Sequence, residues 1–496
     1  MSAGAPVRDV VVVGGGLAGW SAAAALKRRV PSLRVTILPI AQPADALTDR
    51  IACTLPSIRG FHADLGIGEE DAVLRTGSSY RLGTSFAGWA ESQPDYVHAY
   101  GPHGAAVSGQ SFHLHWTRAA RDGGASPFDE FSAAATLARL GRFAPGDRDP
   151  RDPLAGHEYG LTLNLAAYAS MLRAFAQHCG VIEQPRGLRA VRLRDDGWID
   201  ALELEDGSEQ RAHLFLDCTG PAALLRSTID DTRDDWRRWL PCDRVLFGTT
   251  PSAEAPSPLD RVTAWEAGWL WSAATPGGCG VVYASAQADD EAAERLLSVG
   301  GATPIGTPVA IAAGNRIEPW RGNCVAIGEA ATVIEPLEWT NLHLAHSAID
   351  RLIAMLPDQN CAPVEAADYN RQHIAEAERV RDFVALHYAA AKRPEPFWRG
   401  CAAADLPDSL AHTLSLFRER GRLPFYQEDT FDRDSWLAVL IGQGELPRRV
   451  DPLVEAVPAA ESREFMARWQ RAIAAAVPSR PTLAAYLGAQ HRRLAR

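Results

Sequence analysis

Lysine is nearly absent from this chain. Lys27 and Lys392 are the only two among its 50 basic residues, and the rest are arginine. Chemistry that needs a reactive amine side chain therefore has two candidates, because a guanidinium stays protonated in proteins and is a poor nucleophile. A basic excess is missing as well. The net charge is −11 over 496 residues, which excludes non-specific binding of nucleic acid. Eight cysteines are scattered with no C-x-x-C pair, so no zinc ribbon or thioredoxin-type site is written, and such thiols suit a reducing cytosol. No apolar run reaches the ~20 residues of a spanning helix. The first residues lead into a strand and not a signal-peptide pattern, so a cytoplasmic location is expected.

Against these absences stands a strong N-terminal signal. Asp9–Val13 is a β-branched run of the kind buried on both faces of a sheet. Gly14-Gly15-Gly16-Leu17-Ala18-Gly19 follows, then a helical stretch to about Arg29 ended by Pro31, and then a strand over 33–38. The G-x-G-x-x-G thus lies between strand and helix. Its first glycine permits the turn, its second admits a pyrophosphate, and its third lets helix and strand pack. The acidic residue that usually ends the second strand and holds a ribose is missing: Leu38-Pro39-Ile40 stands there. Further along, strands are expected at 188–193, 199–204, 214–217 and 324–327, and a helix over 164–176. Asp122-Gly123-Gly124 and Pro145–Pro150 read as loops. From about 342 the pattern is mainly helical, with Leu342, Ala345, Ile349 and Ile353 on one face.

Several segments together resemble the flavin-dependent tryptophan halogenase family. They are Gly14–Trp20, Leu55-Pro56-Ser57-Ile58, Phe215–Gly220, Trp239–Arg244, Gly268-Trp269-Leu270-Trp271, Pro319–Gly328 and Glu335-Pro336-Leu337-Glu338. Tyr369-Asn370, Arg381-Asp382-Phe383, His387-Tyr388 and Ile441–Gly444 carry the likeness into the helical part, so it spans nearly the whole chain in order. The resemblance implies an α/β, Rossmann-like FAD-binding fold of the aromatic hydroxylase/halogenase type, with an inserted substrate sheet and a helical C-terminal part. The expected division is a core over 1–360, an inserted substrate region at about 80–165 and 235–320, and a helical region over 361–496. It further implies FAD reduced by a separate flavin reductase, O₂, chloride or bromide, and a small indole- or phenol-like substrate. Neither nucleic acid nor membrane is an expected partner, and a homodimer is left open.

The same resemblance assigns residues. FAD falls to Gly14, Gly16, Leu17, Ala18, Gly19, Gly328 and Glu329; Glu338 takes the place of the glutamate that polarises the halogenating species and accepts the ring proton. The N–H groups of Thr340 and Asn341 would hold halide, and Trp269, Trp271 and Trp339 would line the substrate pocket; His113 and His115 join it on a separate ground, the alternation of aromatic and histidine residues in Phe112–Trp116 read as a strand. Departures are marked. Trp339-Thr340-Asn341 replaces the usual Ser-Thr-Gly, and Ala273-Ala274 replaces an Ile-Pro. Arg50–Thr54 lacks the glycine and glutamate of the V-G-E-A-T segment. Arg81 occupies the position of the family's catalytic lysine; it is expected to position the oxidant or substrate, or else to be an exposed strand residue. Neither Lys27 nor Lys392 can stand in for it. Glu329 resembles the ribityl-binding acid of flavin monooxygenases, with a solvated loop residue as the alternative. Two rival functions follow: oxygen insertion without halogenation, and a non-catalytic binding protein. His343 and His346 read as packing groups, Phe112–Trp116 as no metal site, and Arg492–Arg496 as a solvated tail.

Overall fold

The computed structural model describes residues 4–91, 93–146, 149, 152–250, 255–273 and 277–494. Ala274, Ala495, Arg496 and three positions of the 145–150 loop (Asp147, Arg148 and Pro150) lie outside the described residues. Two compact units are interleaved along the sequence. The first comprises 1–78, 163–237 and 309–378; the second comprises 79–162, 238–308 and 379–496. The boundary at 378/379 falls within the long helix Pro363–Ala389, so the chain after 361 is shared between the two units.

In the first unit, β1 (Asp9–Val13) is followed by α1 (Leu17–Arg29) and β2 (Arg34–Leu38). β1 pairs in parallel with β2 on one side and with Leu214–Asp217 on the other. Cys324–Ala326 continues the parallel order beyond Leu214–Asp217, and the six-stranded sheet ends on Trp320–Arg321 and Ile182–Glu183. Val10 to Val13 are fully buried, as a strand covered on both faces requires, and each such side chain contributes roughly 1.5–3 kcal/mol on removal from water. α1 is alanine-rich, with Ala22 to Ala25 sealed from solvent, and Lys27, Arg28 and Arg29 suit the negative end of its dipole.

Leu188–Leu193 and Ile199–Leu204 are strands at the expected bounds. With Glu209–Gln210 they form a separate antiparallel sheet. Its Ile199, Leu202 and Leu204 pack with Val11, Val13 and Phe215, so a small sheet covers the central one. The helix at 164–176 runs over Leu165–Cys179, capped by the Asn164 side chain.

The second unit is built on a seven-stranded sheet containing Gly83–Ala87, Tyr96–Ala99, Arg244–Thr249, Leu259–Trp265, Gly268–Ser272 and Cys279–Tyr283, with Thr303–Ala310 at one edge. Ser79–Arg81 pairs with Gly160–Thr162 in a short ribbon. One element departs from expectation. Phe112–Arg121 is a helix and not a strand, because all five residues from Phe112 to Trp116 are buried and their alternation therefore marks no face. The C-terminal stretch is also helical, from Leu483 to Leu494, with Arg492 and Arg493 exposed.

Candidate active site

The glycine loop has the geometry its motif requires. Gly14 adopts φ +127°, and a Cβ at Gly19 would come within 2.0 Å of the Gly14 carbonyl oxygen, so only glycine lets α1 approach β1 so closely. Gly16 precedes the first turn of α1, whose Leu17 N–H donates to Asp49 Oδ1 at 2.7 Å. Gly328, at φ +64°, packs against Ala18 and Ala345 and so brings the turn after Cys324–Ala326 beside the start of α1.

Glu329 in that turn is 4% exposed, which rules out the solvated-loop alternative. Its Oε1 accepts from the Thr48 N–H at 3.1 Å and lies 3.5 Å from the Asn341 side-chain amide. Burial pushes the carboxyl up to about 8, and the charge of Asp49 adds to the rise. Burial pushes Asp49 up as well, partly offset by its bond from Leu17. A second buried carboxylate in this unit behaves oppositely. Glu376 is held well below its ordinary range by His343 at 3.2 Å and Arg351 at 2.7 Å, against the upward pull of burial. His343 also meets Ser57 at 2.8 Å and so joins a polar network, whereas His346 stacks on Phe61 at 3.7 Å as a packing group.

Glu338 sits at φ +67° in a short turn, and Trp339 follows at φ +63°. Two consecutive non-glycine residues in the left-handed region cost about 1–2 kcal/mol each and persist only where the surroundings hold them. Glu338, Trp339 and Thr340 are all buried. The helix Asn341–Ala354 starts directly after this turn, with no side-chain cap and no acidic residue in its first turn. Thr340 Oγ1 and Asn341 Oδ1 are buried atoms without a hydrogen-bond partner among the described residues.

Arg81, in the second unit, is fully buried, so it is not the exposed strand residue of the alternative reading. Its guanidinium is hydrogen-bonded within the protein. Nε donates to Asp260 at 2.5 Å, Nη1 to the Tyr100 hydroxyl, and Nη2 to Thr84 Oγ1 at 2.8 Å. A planar fork with its donors on protein partners is the geometry of a group that braces the scaffold. The candidate pocket residues of this unit make internal contacts as well. His113 Nε2 meets the Gly421 carbonyl at 2.7 Å and His115 Nδ1 meets Ser462 Oγ at 2.9 Å, and burial pulls His113 down to about 4. Trp269 Nε1 donates to the Tyr388 hydroxyl at 2.9 Å, and the Trp271 ring lies over Gly280, where a Cβ would come within 2.1 Å of it. These four side chains are spent on internal packing.

The lysines are equally committed. Lys27 Nζ donates to the Pro31 and Leu33 carbonyls, both at 2.8 Å, and Lys392 Nζ to the Gly444 carbonyl at 2.9 Å. Sequence reasoning missed Asp49, Thr48 and Asp260. Asp49 lies in the segment whose glycine and glutamate losses are visible in the sequence, whereas no sequence signal joins Asp260 to Arg81.

A glycine loop on a parallel sheet, with a buried acid at its side and a mixed seven-stranded sheet inserted in the chain, defines the class: a Rossmann-like dinucleotide-binding α/β protein. The tryptophan halogenase family model matches residues 9–459. Tryptophan 6-halogenase SttH of Streptomyces toxytricini is 29% identical, the match covering 93% of this chain and 94% of that protein. Among solved structures, BrvH, a flavin-dependent halogenase from Brevundimonas sp. BAL3, superposes with a TM-score of 0.91 at 35% identity, covering 98% of this chain and 99% of that one. Xcc4156, a flavin-dependent halogenase from Xanthomonas campestris, gives 0.90 and 34%, covering 98% of both chains.

The chain belongs to the tryptophan halogenase family. It is an FAD-dependent oxidoreductase of the halogenase type, acting on an aromatic substrate. The residues present fit the cofactor: the glycine loop and α1 suit a pyrophosphate, and the Asn341 side chain, whose oxygen lacks a partner among the described residues, lies beside the Glu329 carboxyl. Among the described residues no helix is long and apolar enough to cross a membrane.

Proposed function

We propose that this protein halogenates an electron-rich indole- or phenol-like aromatic with bromide or chloride, using FAD reduced by a separate flavin reductase and no amine relay. The observation that carries the reading is Glu338, retained in a buried, left-handed turn that opens the helix Asn341–Ala354. Bound reduced FAD supplies, with O₂, the two-electron oxidation of halide. The chain's own residues do the rest. First-turn N–H groups at Thr340 and Asn341 hold the halide anion at the positive end of a helix dipole. Glu338 polarises the hypohalous acid and accepts the proton that the ring loses on substitution. Trp339 excludes water beside it, and Glu329 holds the FAD side of the same unit.

The test is incubation with a flavin reductase, NADH, bromide and a panel of indoles and phenols, read by mass spectrometry. A product with the bromine isotope pattern is expected, and Glu338→Gln should lower its rate by about 10²–10⁴-fold while FAD still binds. A product heavier by one oxygen and formed without halide would instead mark a monooxygenase. Absence of any product from FAD-loaded protein would favour a binding role.

A further inference from the structure

The segment between β2 and Thr54 lies across the glycine loop. Gln42 Nε2 donates to the Cys218 carbonyl at 3.2 Å, at the end of the neighbouring strand. A Cβ built on Gly16 would come within 2.2 Å of Asp49 Oδ2 and 2.6 Å of Gln42 Cγ, so both side chains press on the glycine whose bareness admits a pyrophosphate. Asp49 Oδ1 meanwhile takes the Leu17 N–H at 2.7 Å, the first helical donor of α1. A carboxylate and a phosphate seek the same thing there, a negative group on exposed N–H donors at the positive end of a dipole.

We propose that Asp49 is a built-in anion seated on the start of α1, that FAD must displace it to bind, and that it therefore sets the affinity of this protein for FAD. The inference rests on the reading of the loop as an FAD site. Displacement costs the bond to Leu17 and moves a carboxylate away from the phosphates. Gln42, neutral and bonded to Cys218, opposes binding less.

Equilibrium titration of the full-length protein with FAD and with ADP, which shares the pyrophosphate but lacks the flavin, tests this. Asp49→Ala should bind both about tenfold more tightly than wild type, as expected for removing a competing charge at a helix terminus. Asp49→Asn should fall between, and Gln42→Ala should change affinity by less than about threefold. In the absence of ligand, Asp49→Ala should melt below wild type, because α1 loses its cap. Tighter binding from a less stable variant is not the behaviour of a merely structural residue. Unchanged or weaker binding of FAD and ADP by a folded Asp49→Ala would overturn the proposal while leaving the FAD site intact. If neither ligand binds wild type or any variant, the FAD reading falls, and the proposal with it.

Discussion

Arg81 and Glu329 are both charged by type and both buried, one in each compact unit, and the chain treats them in opposite ways. Around Arg81 every observed contact lowers the cost of burial: a carboxylate, two hydroxyls and a carbonyl receive its N–H groups. Around Glu329 no cation among the described residues is set against the carboxyl. Asp49 raises its affinity for a proton further, and the nearby Thr340 and Asn341 oxygens have no partner. Burial offset by opposite charge and hydrogen bonds suits a scaffold group, whereas a buried acid that is hydrogen-bonded but faces no cation is kept protonated instead. Glu376 shows that the first unit is able to satisfy a buried carboxylate where catalysis is not at stake.

The largest expected effect tests the scaffold side. Arg81→Met leaves Asp260 buried and unpaired, and should cost about 3–5 kcal/mol in denaturant unfolding. A loss below about 1 kcal/mol would mean that the ion pair is not the structural element described. Glu329→Gln probes the other side and depends on pH. The folded carboxyl titrates near 8 against an ordinary 4.5, so the folded state binds more protons between those values and wild-type stability falls as pH rises through them. Glutamine imitates the protonated form. The variant should match wild type near pH 5 and exceed it by a few kcal/mol near pH 8 without ligand. Parallel stability–pH curves would break the contrast. The smallest effect is Thr340→Val. Because its hydroxyl has no partner, the substitution should change stability by less than about 1 kcal/mol, in the stabilising direction, in thermal melts of the ligand-free protein.

Much of this was legible in the sequence, and the exceptions have physical causes. β1, α1, β2 and the strands at 188–204 and 214–217 announce themselves through β-branched runs and glycine or proline punctuation, which are local signals. Glu338 and Glu329 were legible through motif resemblance. Arg81 is legible as an anomaly, but its burial against Asp260, 179 residues away in sequence, is not. Phe112–Trp116 departs from expectation for a different reason: its aromatic–histidine alternation lies within one buried stretch of a helix whose open face comes only later, at Arg118 and Arg121. The interleaving of the two units is a property of long-range contacts, which composition and periodicity do not encode.

The most direct measurement is the rate of halogenated product formation by the double variant Arg81→Met/Asp260→Leu. Removing both partners leaves no unpaired charge, so the variant should fold with near wild-type stability. If Arg81 is scaffold and Glu338 carries the proton transfer, this rate stays within about tenfold of wild type. A loss of about a thousandfold or more, in a variant that melts normally and binds FAD, would show that the guanidinium takes part in the chemistry.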